Sequence, residues 1–157
     1  MSAERQLCTF MLDGLCLGIE VRQVQEVMTH HEMTRVPRAA PVIRGLINLR
    51  GQIVPALDLR RRLKLNEAPA GWLPMSVVVQ GSDGPVSLLV DEIGDVVQVD
   101  EETFERRPET LTGVARELIQ GAYKLEDRLL LVLDTERVLQ LDREPAARTR
   151  PGKGEPE

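Results

Sequence analysis

Residues 45–59 read Gly45-Leu46-Ile47-Asn48-Leu49-Arg50-Gly51-Gln52-Ile53-Val54-Pro55-Ala56-Leu57-Asp58-Leu59. Two apolar runs flank Arg50-Gly51, so the stretch predicts a β-hairpin with a charged residue at its tip. Pro55 cannot donate a ladder hydrogen bond, which predicts that its strand lies at an edge or is broken there. Asp58 is placed to cap a helical turn or two over residues 58–65. The triple Arg60-Arg61-Arg62 reads as a solvated face. It has no aromatic or Gly-rich companion that would make it a phosphate site.

The same pattern recurs on either side. Asp13-Gly14 separates two alternating apolar runs within residues 7–21, a strong short-range hairpin signal. On its second arm Leu15, Leu17, Ile19 and Val21 share one face. Residues 21–28 change period: Val21, Val24, Val27 and Met28 recur at helical spacing, so a short amphipathic helix is expected, with Gln25 and Glu26 free to meet a partner. Residues 66–74 read as a loop anchored by Trp72. A third hairpin is expected about residues 81–85, between Val77–Val79 and Val86–Val90. Residues 95–99 form another strand, and residues 100–118 read as charged and irregular, broken by Pro108 and Gly113. A fourth hairpin turns at Glu126-Asp127. Asp134 is placed to cap a closing helix over Thr135–Leu141. Residues 143–157 carry no apolar cluster and read as a disordered tail.

Short strands and hairpins at this spacing imply an all-β barrel or sandwich. The layout occurs before and after the Trp72 loop, so two small barrels packed together fit the count. A half of roughly 70 residues buries little core by itself, and one cooperative unit is expected.

Composition narrows function. The chain has 157 residues, 20 Lys plus Arg and 25 Asp plus Glu, a formal charge of −5. A nucleic-acid binder normally carries a basic field, and an aromatic content of 3% offers few stacking platforms. No apolar run approaches the roughly 20 residues that span a bilayer. The N-terminal Met-Ser-Ala-Glu-Arg-Gln lacks the layout of a signal peptide, so a cytoplasmic protein is expected. Cys8 and Cys16 do not form a CxxC pair and read as small strand or core residues. His30 and His31 are adjacent and point in different directions, a poor arrangement for one metal. Neither a phosphate-binding Gly loop nor a nucleophile elbow is present. A binding module without cofactor or metal is therefore expected rather than an enzyme.

These residues resemble the CheW-like coupling proteins of bacterial chemotaxis. The resemblance is carried by Phe10–Val27, with Gly18-Ile19 and Val24-Gln25-Glu26-Val27, and above all by the Asn48-Leu49-Arg50-Gly51 and Pro55-Ala56-Leu57-Asp58-Leu59 block. Val90-Asp91, Asp95-Val96, Gly121 and Leu129–Leu133 extend it through the second half. It implies a fold that is all-β with short helices: two SH3-like five-stranded β-barrels sharing a core, closed by a short C-terminal helix. It implies one CheW-like domain over residues 5–142, with a barrel boundary near residues 66–75, strand exchange between halves left open, and a tail at 143–157.

The resemblance also implies a function. Members bridge a CheA-type histidine kinase, through its CheW-like regulatory domain, to the cytoplasmic tips of chemoreceptors, and ring assembly with kinase regulatory domains is left open. The protein would be recruited from the cytoplasm to membrane-associated receptor arrays. An adaptor of a non-flagellar pathway (pilus or gliding motility, development, second-messenger control) is the alternative. By position, the receptor-facing candidates are Val24 and Glu26 on the first helix, Gly45 before the motif strand, and Asn48 and Arg50 at the hairpin. No residue is assigned to the kinase side. A hairpin-tip guanidinium suits a partner carboxylate or a row of carbonyls; the alternative is that Arg50 only pins loops of its own fold.

Overall fold

The computed structural model describes residues 4–29, 32–36, 40–106 and 113–141. Strands β1 (Glu4–Leu12) and β2 (Leu15–Glu20) form the first hairpin. At its turn Asp13 and Gly14 have φ of 51° and 81°. Two successive left-handed residues match the twist of the flanking strands, which is why Asp-Gly favours this turn. A 3₁₀ turn, Val21–Gln23, leads into β3 (Val24–Met28). The motif hairpin is β4 (Ile43–Leu49) and β5 (Gln52–Asp58), followed by α1 (Leu59–Arg62). Then come β6 (Met75–Gly81), β7 (Gly84–Val90), β8 (Glu92–Asp100) and the two-residue β9 (Glu105–Arg106). The chain continues through α2 (Gly113–Leu118), β10 (Ile119–Lys124), β11 (Leu129–Leu133) and α3 (Thr135–Val138). All four hairpins expected from the sequence are present.

The strands form two sheets, ordered β8-β1-β2-β11-β10-β9 and β3-β6-β7-β5-β4. The first sheet joins the N-terminal hairpin to the C-terminal strands through a parallel β2–β11 pairing. The second is closed similarly by a parallel β5–β7 pairing. Side chains alternate across each sheet and are buried on both faces. Phe10, Leu17 and Leu131 of the first sheet meet Leu57, Val77 and Leu88 of the second in one shared core. The opposite face of the first sheet buries Leu7, Tyr123, Leu130 and Val132. That of the second buries Ile47, Leu49, Val54, Val78 and Leu89. This is the expected pair of SH3-like barrels with a common core, but the strands do not divide at the Trp72 loop: β6 and β7, which follow it, share a sheet with β3, β4 and β5, which precede it.

Several local expectations are corrected. Residues 21–28 are not an amphipathic helix: only Val21–Gln23 turn, and Val24–Met28 pair with β6 as an edge strand. Over five residues a valine-rich run fits either period, and β-branched side chains suit a pleated surface. A register shift between Val24 and Glu26 blurs the alternation further. The triple arginine is not a solvated face, because Arg60 and Arg62 are buried. Pro55 is not on an edge strand, since β5 lies between β4 and β7. It is tolerated because the β7 pairing starts only at Ala56. Residues 100–118 are less irregular than expected, holding a second 3₁₀ turn, β9 and α2. The closing helix stops at Val138, with Asp134 accepting from the Arg137 amide as its cap. Asp58 caps α1 through the Arg61 amide, as its position implied. His30, His31, Pro108 and the tail lie outside the described residues.

Candidate interaction site at the motif hairpin

The β4–β5 turn brings three of the five candidates together. Arg50 and Gly51 take φ of 53° and 85°, so Arg50 is a side-chain-bearing residue in the left-handed region. Asn48 supports that conformation: its Oδ1 accepts the Gly51 N–H at 2.9 Å. The turn points the Arg50 side chain across to β3, an edge strand 24 residues earlier. There its Nη1 and Nη2 donate to Glu26 Oε1 and Oε2 at 2.6 and 2.9 Å. The pair is a bidentate guanidinium–carboxylate clasp, the geometry that arginine's planar fork favours. Hydrogen bonds and charge from Glu26 push the Arg50 pKa upward, so the guanidinium stays charged.

Burial separates the two partners. The Arg50 side chain is 72% exposed and that of Glu26 is 22% exposed. Arg50 thus keeps N–H groups free for a second acceptor while its position is fixed from below. Gln25 and Val27 of β3 and Ile53 of β5 are exposed nearby in the same strands.

The other two candidates sit differently. Val24 is half-buried and packs against the shared core. Gly45 is buried, and a Cβ there would fall 2.6 Å from the carbonyl oxygen of Thr34. Thr34 exchanges backbone hydrogen bonds with Leu46, at 2.9 and 2.8 Å. Gly45 therefore contributes close backbone approach rather than a contact surface. Among the described residues no group of three His, Cys, Asp or Glu side chains is placed to hold a metal. Among the described residues no helix is long and apolar enough to cross a membrane.

Sequence reasoning missed a second polar cluster, centred on Asp91. Asp91, the single residue between β7 and β8, accepts from Arg60 Nε and Nη2 at 3.2 and 2.9 Å, from Trp72 Nε1 at 2.8 Å and from the Asp13 amide at 2.8 Å. Arg62 donates to the carbonyls of Val138 and Arg137 at the end of α3. The signal was available: charged residues flanked by Leu59 and Leu63 in a capped helical turn must find partners wherever that turn is buried.

Fold and surface define a double-barrel β protein that presents a charged, hydrogen-bonded hairpin. Residues 6–143 match the CheW-like domain model, and the chain belongs to that family. It is 34% identical over 142 residues to the chemotaxis protein CheW of Bacillus subtilis, covering 90% of this chain and 91% of that one. It is 29% identical over 137 residues to CheW of Treponema pallidum, covering 85% and 81%. Protein PilI of Pseudomonas aeruginosa is 25% identical over 122 residues, covering 78% and 68%. The crystal structure of the scaffolding protein TtCheW from Thermoanaerobacter tengcongensis superposes with a TM-score of 0.79 at 24% identity, covering 88% of this chain and 94% of that one. That likeness speaks for the fold.

Proposed function

We propose that this protein is a non-enzymatic adaptor that couples methyl-accepting chemoreceptors to a CheA-type histidine kinase. The observation that carries the reading is the Arg50–Glu26 clasp. Two segments that bear the family motif are joined at one exposed surface, and the guanidinium there retains donors for a partner. Asn48 holds the turn, and Gly45 holds the strand that leads into it. Val24 braces β3 from the core side. In this reading the receptor's helical tip meets the hairpin and β3, with Arg50 as its polar anchor. The kinase's CheW-like regulatory domain associates barrel to barrel elsewhere, and ring assembly follows from such contacts. The protein works in the cytoplasm, recruited to membrane-associated receptor arrays. Relatives named for chemotaxis favour that pathway; a relative named PilI keeps an adaptor of another chemosensory pathway as the second reading.

The test is calorimetry with the purified CheA-type kinase and with a receptor signalling fragment from the same cell. Saturable binding of both, with Arg50→Glu losing receptor binding but keeping kinase binding, is the expected result. No binding to any such kinase or receptor would remove the adaptor assignment.

A further inference from the structure

Residues 64–74 run from the end of α1 to β6 without regular structure, yet they are tied down along their length. Arg60 Nη1 donates to the carbonyls of Asn66 and Glu67 at 3.0 and 3.4 Å. Arg61 Nε donates to Glu67 Oε1 at 3.2 Å. The Asn66 amide donates to Asp13 Oδ2 at 3.2 Å. Trp72 Nε1 donates to Asp91 Oδ1 at 2.8 Å. The Trp72 ring is flanked by the guanidinium groups of Arg44 and Arg60, 5.5 and 5.7 Å from its centroid. Beneath it lie Ile47, Ala56 and Leu89, the interior of the second sheet. The segment is a strap across that apolar face.

Several of these ties converge on one carboxylate: Trp72 donates to Asp91 directly, and Arg60 and Asp13, which hold Asn66 and Glu67, are themselves bonded to it. Asp91 stands where the chain leaves the second sheet and enters the first, between Val90 and Glu92. Its backbone amide donates to the Met11 carbonyl at 3.0 Å. Its side chain takes one donor from the first sheet's turn (Asp13), one from the strap (Trp72) and two from α1 (Arg60). A half-buried carboxylate with four donors is saturated, so removing its charge unsettles all of its partners together.

We propose that Asp91 is a latch: it locks the strap over the Ile47–Ala56–Leu89 face, and the strap, Trp72 and the β1–β2 turn open as one unit when it is released. Opening uncovers apolar surface that includes Ile47 of β4, the strand that carries Asn48 and leads into the Arg50 turn. The latch thereby ties access to that face to the integrity of the crossover between sheets. The segment suits such a device. It holds no ladder hydrogen bonds and its Leu73 is exposed, so beyond the packing of Leu65 and Trp72 its local stability rests on these polar ties.

Native-state hydrogen exchange followed by NMR on the full chain tests this. The reporters are the Asp13 and Asn66 amides and the Trp72 indole N–H. In Asp91→Asn they are expected to exchange at least tenfold faster, and by a common factor. The Val78 and Leu131 amides, at the centres of the two sheets, should keep their wild-type rates. Trp72→Phe keeps a ring on the apolar face and deletes one donor to Asp91. It should accelerate the Asp13 and Asn66 amides, which the ring does not hydrogen-bond. The latch is overturned by unequal factors among the reporters, by Val78 and Leu131 accelerating in step with them, or by Trp72→Phe leaving the Asp13 amide unchanged. If Asp91→Asn does not fold, Trp72→Phe decides the matter.

Discussion

Two arginine–carboxylate pairs organise this molecule, and they do opposite things. Arg50–Glu26 and Arg60–Asp91 each bridge distant parts of the chain with two guanidinium hydrogen bonds. The Arg50 side chain is 72% exposed and that of Arg60 is 8% exposed. In water the clasp is screened, and its contribution to stability is small. Around Arg60 each end of the guanidinium is occupied, by Asp91, by Asp13 at 3.5 Å and by the Asn66 and Glu67 carbonyls. Removing one member there leaves the others partly buried with a partner missing. Identical chemistry thus leaves a charge at the surface at the hairpin and joins three segments at the crossover, and burial separates the two.

The sharpest way to break that contrast is to delete the inner arginine. Arg60→Met keeps the stem and removes the charge, and is expected to cost about 3 kcal/mol in chemical denaturation, because Asp91 loses its cation while partly buried. The pH dependence supports the assignment. Burial pushes the Asp91 carboxyl up, but hydrogen bonds from Arg60, the Asp13 amide and the Trp72 indole, with the charge of Arg60, outweigh it and hold the pKa below the usual range. A carboxylate with a depressed folded pKa stabilises above its unfolded pKa of about 3.9 and loses that contribution as pH falls through the folded value. The difference in melting temperature between wild type and Asp91→Asn should therefore be full at pH 7 and shrink below about pH 4. A difference that stays constant into acid would mean that the Asp91 charge is not what holds the crossover.

The two pairs were unequally legible in the sequence. Hairpins were readable because Asp13-Gly14 and Arg50-Gly51 sit between alternating apolar runs, and the left-handed turn demand falls on named residues. Arg50 stood out for the same reason, since a charge at a hairpin tip has to point outward. Its partner was assigned to a helix, although Glu26 lies on β3; five residues cannot separate the two periods. Arg60 and Arg62 were misread because local sequence shows charge and not burial. What buries them is tertiary: the β7–β8 crossover brings Asp91 to Arg60, and α3 brings its terminal carbonyls to Arg62. Trp72 could be recognised as an anchor, but not what it anchors to.

Gly45 tests whether the outer pair depends on the backbone below it. Gly45→Val would drive a Cβ and two methyl groups into the Thr34 carbonyl, a neighbour that is backbone and cannot rotate away. The expected loss is about 2 kcal/mol, smaller than for the inner arginine because β4 is an edge strand and can shift. The Thr34–Leu46 bridge should open first, seen as faster exchange of the Leu46 amide. Equal stability to wild type would remove the close-approach explanation for this glycine.

The smallest effect on stability is expected at the clasp, and the largest on binding. Arg50→Glu places two carboxylates face to face at an exposed site, so the melting temperature should hold while receptor binding is lost. The exchange Glu26→Arg with Arg50→Glu restores the attraction with its direction reversed. If the clasp acts only within the fold, the double variant recovers whatever the single variant lost, receptor binding included. If Arg50 itself meets the partner, the double variant regains hairpin order, seen as Gly51 amide protection by Asn48, yet still fails to bind. The positive charge has then moved to β3, away from the tip where the turn aims it. That split between restored geometry and unrestored binding separates the display role from the pinning role, which no single substitution can do.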